Sequence, residues 1–479
     1  MIFNQENNIP KTDSIDDNQE AIPEKIGVDV LDSFLEQIQR IPFAEICGKA
    51  KLKDYYILSI DNLLKTAKKC GLDIGLKNKN PYIFNGRFWQ LIWPQVFQHF
   101  LKVVGIKQGI PHNVIKDYKF VENLVKQFAS EARFPVLTAN DIPKINLRNG
   151  TLHFTPEGVK LYPHDKQDGL TYQLNYDYDP EATALLFRKY FEQVQPDKRI
   201  RKLLWQYIAY VFLPKMNLEK ILFLFGGGDN GKSVFLEVVQ ALIGKEQCCA
   251  YSLEGLTGAG RGEYQRAVLG NYLLNVCPEI STRMGAIDTF KKLASREPLQ
   301  ARHPRGKPFI VSEYATSIFS MNKRPDVTER TRAFFRRFLL VPFNVTISEE
   351  EKDTKLAEKI IESEMSGVLN FVVRGVDSLL KSGGFNIPPE VEKALEDFRN
   401  ESDSVLLFLK ENRYRPSSEH RITLKAMYNA YTEHCKDEGC RAVQKSHFAR
   451  QLRETGYETG RYGNKRDTVV YAEQVDDVE

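Results

Sequence analysis

Apolar and polar positions change their rhythm several times along the chain. The first 25 residues are polar, acidic and punctuated by proline (IPKTDSIDDNQEAIPEK), which predicts a disordered tail. Helical spacing begins at Val28, Leu31, Phe34, Leu35 and Ile38. The stretch 81–93, PYIFNGRFWQLIW, alternates around Asn85-Gly86 and predicts a hairpin, and a helical pattern returns from 96 to 132. Between 145 and 175 three short runs (INLRNGTLHF, VKLYPHD and LTYQLNYDYDP) read as strands, with turn chemistry at Asn149-Gly150 and Glu157-Gly158. A helical block follows from about 181 to 212, and Pro214 stops it.

From 218 to about 345 strands and helices alternate, the pattern of an α/β sheet domain. Helices return between 350 and 381, and KSGGFNIPPE (381–390) has the glycine and proline of a linker. The tail from about 400 to 473 reads as three helices and a hairpin (YETGRYGNKRDTVVY). The expected architecture is therefore a multidomain α/β protein: a tail over 1–25, a mostly helical and hairpin region over 26–215, an α/β domain over 216–380, and a small domain over 390–475.

Composition narrows the class. With 42% hydrophobic and 27% charged residues, this is the make-up of an ordinary soluble globular protein. The longest apolar run, Tyr207 to Leu213, is too short to cross a bilayer, and the start (MIFNQENN) lacks the basic and apolar parts of a signal peptide. Seven scattered cysteines suggest a reducing compartment, so the expected location is cytoplasmic, with no membrane partner. Cys435 and Cys440 beside His434 fit no common zinc spacing and lack a fourth ligand.

The chemistry concentrates in one place. A buried-strand pattern, ILFLF, leads into Gly226, Gly227, Gly228, Asp229, Asn230, Gly231, Lys232, Ser233 and Val234, and a helical run follows. This is G-x-x-x-x-G-K-[ST] in its required strand-to-helix setting. Glycines allow successive N–H groups to converge on phosphate oxygens, and the helix start adds its partial positive charge. Lys232 is placed to neutralise phosphates and Ser233 to ligate magnesium, so the implied cofactors are ATP and Mg2+. Such a loop needs an acidic partner on a neighbouring strand. Glu279, after the run Asn271 to Cys277, is the candidate, against the plainer reading of a solvated strand-end Glu. Asn322, after Ser317 to Met321, stands at the same sheet edge, where it could orient water or simply form a turn.

These elements, in this order, resemble superfamily 3 helicases, in the branch of primase-helicases carried by poxviruses, phages and plasmids. The resemblance rests on FLFGGGDNGKS, GNYLLNVCPEIS, TFKKLASREPLQARHPRGKPF, FSMNKRP and FFRRFLLVPF, and extends more loosely over roughly 80 to 473. It implies a P-loop core of the AAA+ kind between an N-terminal collar and a winged-helix-like tail, assembled as a homo-hexameric ring around single-stranded DNA. Carried over by position, Lys232 and Ser233 form the loop pair, Glu279 the second acidic motif and Asn322 the sensor. Arg337, or its neighbour Arg336, becomes the finger that reaches the next subunit's nucleotide. Two departures stand out. Ser295-Arg296-Glu297 replaces a frequent Gly-Gly-Asp, and Pro278 precedes a lone Glu279 where the branch has paired acids. No primase domain is expected in the first 80 or so residues, so a separate primase or initiator is an implied partner.

Charge adds a candidate DNA track. Between Ser281 and Phe343 there are 13 Lys or Arg against 5 Asp or Glu, a local excess of 8 within a whole-chain charge of +4. Arg302, His303, Arg305 and Lys307 form a basic turn between strands, where the resembling family keeps a DNA-gripping hairpin; an ordinary solvated hairpin is the alternative. In the tail, Lys445 and Arg450 lie on a possible recognition helix, with Arg461, Lys465 and Arg466 on the hairpin after it, and a protein-docking face is the competing reading. The expected function is an ATP-dependent DNA helicase acting on forked DNA in replication of a phage, plasmid or other mobile element, with 3′-to-5′ polarity implied by the resemblance. The alternative is an ATP-switched origin-binding initiator or a loader that does not unwind.

Overall fold

The computed structural model describes residues 28–77, 79–135, 142–278, 284–304, 306–325, 327, 329, 331–438, 442–462 and 467–475. The tail expected over 1–25, and Glu279, Arg305, Cys440, Lys465 and Arg466, lie outside the described residues. The fold is mixed α/β and divides into two compact units. One gathers residues up to Ala184 with 242–247 and 361–378; the other gathers 185–241, 248–360 and the chain from 379 onward. This division differs from the boundary expected at 215, because the paired helices Leu185–Val194 and Lys198–Val211 pack within the second unit.

The first unit opens with helices whose apolar stripes meet. Val28–Glu36, Leu52–Lys69, Pro94–Lys107 and Tyr118–Glu131 bury Leu31, Phe34, Leu63, Phe97, Phe100 and Phe128 in one core. Two three-stranded antiparallel sheets follow in the same unit. In the first, Asn80–Phe84 pairs with Trp89–Leu91 across the expected Asn85-Gly86 turn, and Asp73–Lys77, a short alternating run (DIGLK), adds an outer strand. Lys144–Leu147, Gly150–Thr155 and Gly158–Tyr162 make the second. LTYQLNYDYDP is not a strand. One bridge between Leu147 and Leu174, scattered backbone bonds such as Trp89 N–H to Leu170 O (2.8 Å), and side chains tie it down: Asn146 donates to Tyr172 O (2.9 Å) and Gln173 to Leu147 O (3.0 Å).

The second unit is built on a five-stranded parallel sheet. Its strands are β1 (Ile221–Phe225), β2 (Cys248–Cys249), β3 (Leu274–Cys277), β4 (Thr316–Met321) and β5 (Phe338–Pro342), in the order β5-β1-β4-β3-β2. The interior strand β1 is a continuous apolar run, and every residue of β4, including Thr316, Ser317 and Ser320, is buried because both faces are covered. β3 is shorter than the run from Asn271 predicts. Asn271 and Tyr272 still bond to Val268 O and Leu269 O, prolonging the end of helix Arg261–Leu269.

The helical block expected from 181 to 212 is two helices, broken at Pro196, with Asp197 capping the second by accepting from Arg199 N–H. Phe191 and Trp205 of this pair pack on Phe235 of helix Lys232–Ile243, with Phe191 and Phe235 only 9° from parallel at 5.5 Å, and Phe187 packs on Trp205 behind them. Helix Pro389–Glu401 also belongs to the sheet's core, since Phe398 packs on Phe335 and Phe338. The tail's own core therefore begins after it. Helices Ser404–Glu411, Leu424–Asp437 and Lys445–Glu454 and the strands Ile422–Thr423, Thr459–Tyr462 and Asp467–Val470 enclose Phe408, Met427, Tyr431, Cys435 and Phe448. Cys435 is a core residue, and no metal-ligand cluster exists among the described residues. Among those residues, too, no helix is long and apolar enough to cross a membrane.

Candidate functional site

The loop between β1 and helix Lys232–Ile243 is shaped by packing on one side and open on the other. At Gly226 an added Cβ would lie 2.4 Å from Phe343 O, and at Gly231, with φ +79°, 2.6 Å from a Val194 methyl. Only glycine fits either place. Gly227 and Gly228, in contrast, are exposed, and a Cβ there would meet nothing within 4 Å. Asp229 takes the left-handed conformation (φ +55°). Its carbonyl accepts from Ile347 N–H (2.7 Å) and its carboxylate pairs with Lys352 (2.9 Å). Asn230 donates to Gly227 O (2.7 Å) and Phe343 O (3.1 Å), closing the turn from within.

Lys232 is buried, and its ammonium donates to Gly226 O (2.7 Å), Gly227 O (2.8 Å) and Asn230 Oδ1 (3.0 Å). Burial pulls its pKa below the usual lysine value. Ser233 is exposed at the first turn of the helix and Val234 is half-buried. The exposed glycine edge, the lysine and the helix start make a cradle suited to phosphate, and the donor set fits a nucleotide with its magnesium.

Tyr190 braces the cradle from behind, donating its hydroxyl to Gly231 O at 2.6 Å, and burial holds that phenol far above its ordinary pKa. Gln195, from the turn after the same helix, donates to Pro342 O (2.8 Å). Neither residue carries a sequence signal for this role. A tyrosine at helical spacing reads as core until the loop's position is known.

The parallel sheet brings the expected sensor alongside. Met321 is paired with Phe225, and Gly226 N–H donates to Met321 O (3.2 Å), so Asn322 emerges exposed beside the first glycine of the loop. Pro278 follows the end of β3, whose Cys277 pairs with Phe319, two residues short of Met321. Arg324 lies over the Phe225 ring (5.0 Å) and pairs with Glu401.

The two arginines before β5 share Glu219 but differ in exposure. Arg336 is exposed and pairs with Glu219 at 2.7 Å. Arg337 is folded back, its side chain 12% exposed, bonded to Ala333 O and close to Ser295 Oγ (3.5 Å).

Strands Leu299–Ala301 and Phe309–Val311 form an antiparallel hairpin that carries the basic turn. Where the first arm enters the turn, Arg302 pairs with Glu263 (3.3 Å) and lies over Tyr264. Toward the tip His303 stacks on Phe309 (5.0 Å), while Lys307 and Ile310 are exposed. Lys445, Arg450 and Arg461 are all exposed, and Arg450 bonds to His447 and approaches Glu454. His447 and Arg450 line a cleft of about 1320 Å³ together with Arg324, Arg332 and Arg399.

A family model described as D5 N terminal like matches residues 61–196, and a second, described as Family of unknown function (DUF5906), matches 224–337. Among solved structures the chain is similar to the A form apo structure of the NrS-1 C terminal region, at 12% identity and a TM-score of 0.47, covering 86% of this chain and 99% of that one. A second A form structure of that region gives 12% and 0.48, and a further apo structure 11% and 0.44, each covering 86% of this chain and 98% of the other. The D5-like match agrees with the primase-helicase branch that the sequence resembles. The second match spans the phosphate loop, Asn322 and the paired arginines.

Proposed function

We propose that this chain is an ATP-driven motor that unwinds DNA during replication of a phage, plasmid or other mobile element. One observation carries the reading. A G-x-x-x-x-G-K-[ST] loop leaves the C-terminal end of a parallel β1, and the neighbouring β4 delivers a polar side chain, Asn322, beside it through the Gly226–Met321 bond. The strand order β5-β1-β4-β3-β2 and the D5-like match support the AAA+-type, superfamily 3 assignment. The order of residues 404–470, a helix, two short strands, two helices and a hairpin, supports a winged-helix tail.

Bound ATP with its magnesium ion would supply the phosphoanhydride bond. The chain's own groups divide the rest of the work. Lys232 exchanges loop carbonyls for phosphate oxygens, and loop N–H groups with the helix start hold the remaining negative charge. Ser233 and, outside the described residues, Glu279 are the metal-side groups. Asn322 holds the attacking water in line. Arg336 is better placed than Arg337 to reach a neighbouring subunit, because it is exposed and tethered only by a surface pair of small worth. A ring would thereby make hydrolysis depend on assembly.

The test is strand displacement on a forked DNA with a single-stranded 3′ tail, run with ATP and with a non-hydrolysable analogue. Separation with ATP alone, lost in Lys232→Ala, is the expected result. ATP hydrolysis without separation would instead identify a loader or a nucleotide-switched initiator.

A further inference from the structure

The stretch Ser295-Arg296-Glu297 stands where the resembling branch often carries Gly-Gly-Asp, and its arginine has a definite structural job. Helix Ile287–Ala294 ends in a double-bonded turn, with Arg296 N–H donating to Leu293 O (3.3 Å) and Glu297 N–H to Lys292 O (3.0 Å). That turn places Arg296 at φ +48°, a position that favours glycine. The side chain does not go to solvent. It donates to Leu213 O (2.6 Å), Met216 O (2.9 Å), Tyr210 O (3.0 Å) and Thr316 Oγ1 (2.7 Å), with its guanidinium 3.5 Å from the centre of the Tyr210 ring.

All of these partners are neutral. The Tyr210 and Leu213 carbonyls lie at and just beyond the C-terminal end of helix Lys198–Val211, where partial negative charge gathers, and each also accepts a backbone N–H, from Leu213 and Met216. Thr316 begins β4, the strand that ends beside Asn322. Tyr314 closes the same knot, donating to Lys292 O (3.1 Å) and Glu297 O (2.9 Å). The first arm of the basic hairpin leaves three residues after Arg296, at Leu299.

We propose that Arg296 is a positioning residue that fixes the root of the basic hairpin to β4, so that single-stranded DNA on the hairpin is felt at the nucleotide loop. The inference rests on the motor reading above and adds a route within it. Arg296 touches neither nucleotide nor DNA. It joins the hairpin arm, the helix end and the sensor strand into one piece through a bond that can be removed singly.

The test uses the full chain, with ATP hydrolysis measured with and without oligo-dT and nucleotide affinity measured with a fluorescent ATP analogue. Thr316→Val removes the one strand-side acceptor at nearly constant shape, and Thr316→Ser keeps it. Expected is a roughly fivefold fall in the oligo-dT stimulation of Thr316→Val, with unchanged nucleotide affinity and unstimulated rate, and restoration in Thr316→Ser. Arg296→Lys should show the same split. Full stimulation in Thr316→Val overturns the inference. An equal loss of basal and stimulated rates also overturns it, because it reduces Arg296 to a fold-holding residue. A wild-type chain that hydrolyses ATP indifferently to oligo-dT overturns the motor reading itself, and the inference with it.

Discussion

The phosphate loop and the basic hairpin are both short turns between ordered elements, yet they are held in opposite ways. The loop is gripped along its back by Phe343, Tyr190 and Val194, and by the strap residues Ile347 and Lys352, with only its glycine edge free. The hairpin is anchored where its turn begins by Arg302 and Glu263 and projects an exposed tip. The difference suits two ligands. A phosphate group demands donors fixed in advance, since positioning is most of what such a loop contributes. A DNA strand of any sequence is better met by charges that follow its backbone.

The largest effect should come from emptying the loop of its one buried cation. Lys232→Ala is expected to lower ATP turnover by about 10²–10³-fold. The melting temperature should hardly move, because the ammonium bonds only within its own loop. Next, the two sides of the loop can be set against each other with one added methyl group. Gly226→Ala forces its Cβ against Phe343 O and should cost about 1–3 kcal/mol, seen as lower stability and weaker nucleotide binding. Gly227→Ala meets open space and should leave the melting temperature unchanged. Equal effects at the two positions would remove the distinction between a gripped and a free side.

Tyr190→Phe is a subtler probe. It deletes the hydroxyl that donates to Gly231 O and should cost about 1 kcal/mol, read as a several-fold higher nucleotide KM with kcat little changed. The smallest effect is expected at the hairpin tip. Lys307→Ala should reduce the slope of log affinity for oligo-dT against log salt by about 1 while leaving nucleotide affinity alone.

How far the sequence exposed these regions follows from the range of the interactions that make them. The loop was legible because its function needs particular residues at fixed local spacing, and because a buried strand and a helix have strong periodic signals. The hairpin was legible from its charge and turn residues. Tyr190 and Lys352 were not, since each reaches the loop from a distant element, and nothing in a helical apolar stripe marks which member touches a glycine. The run LTYQLNYDYDP alternates without becoming a strand for a related reason: a pairing partner along its length, rather than alternation, makes a strand. Arg296 was visible only as a departure. Its left-handed turn is local, but the four acceptors that explain it come from two distant segments.

The aromatic stack behind the loop has an optical consequence. The chain has three tryptophans, and Trp89 and Trp93 both lie in the first unit. Trp205 is 5% exposed and packed between Phe187, Phe191 and Phe235, the last of these on the helix that begins with Lys232. Replacing the first two by phenylalanine leaves a chain whose indole emission comes from a single dry site one layer below the phosphate cradle. Titrating nucleotide into that variant turns its intensity and wavelength into a label-free record of the loop's own movement.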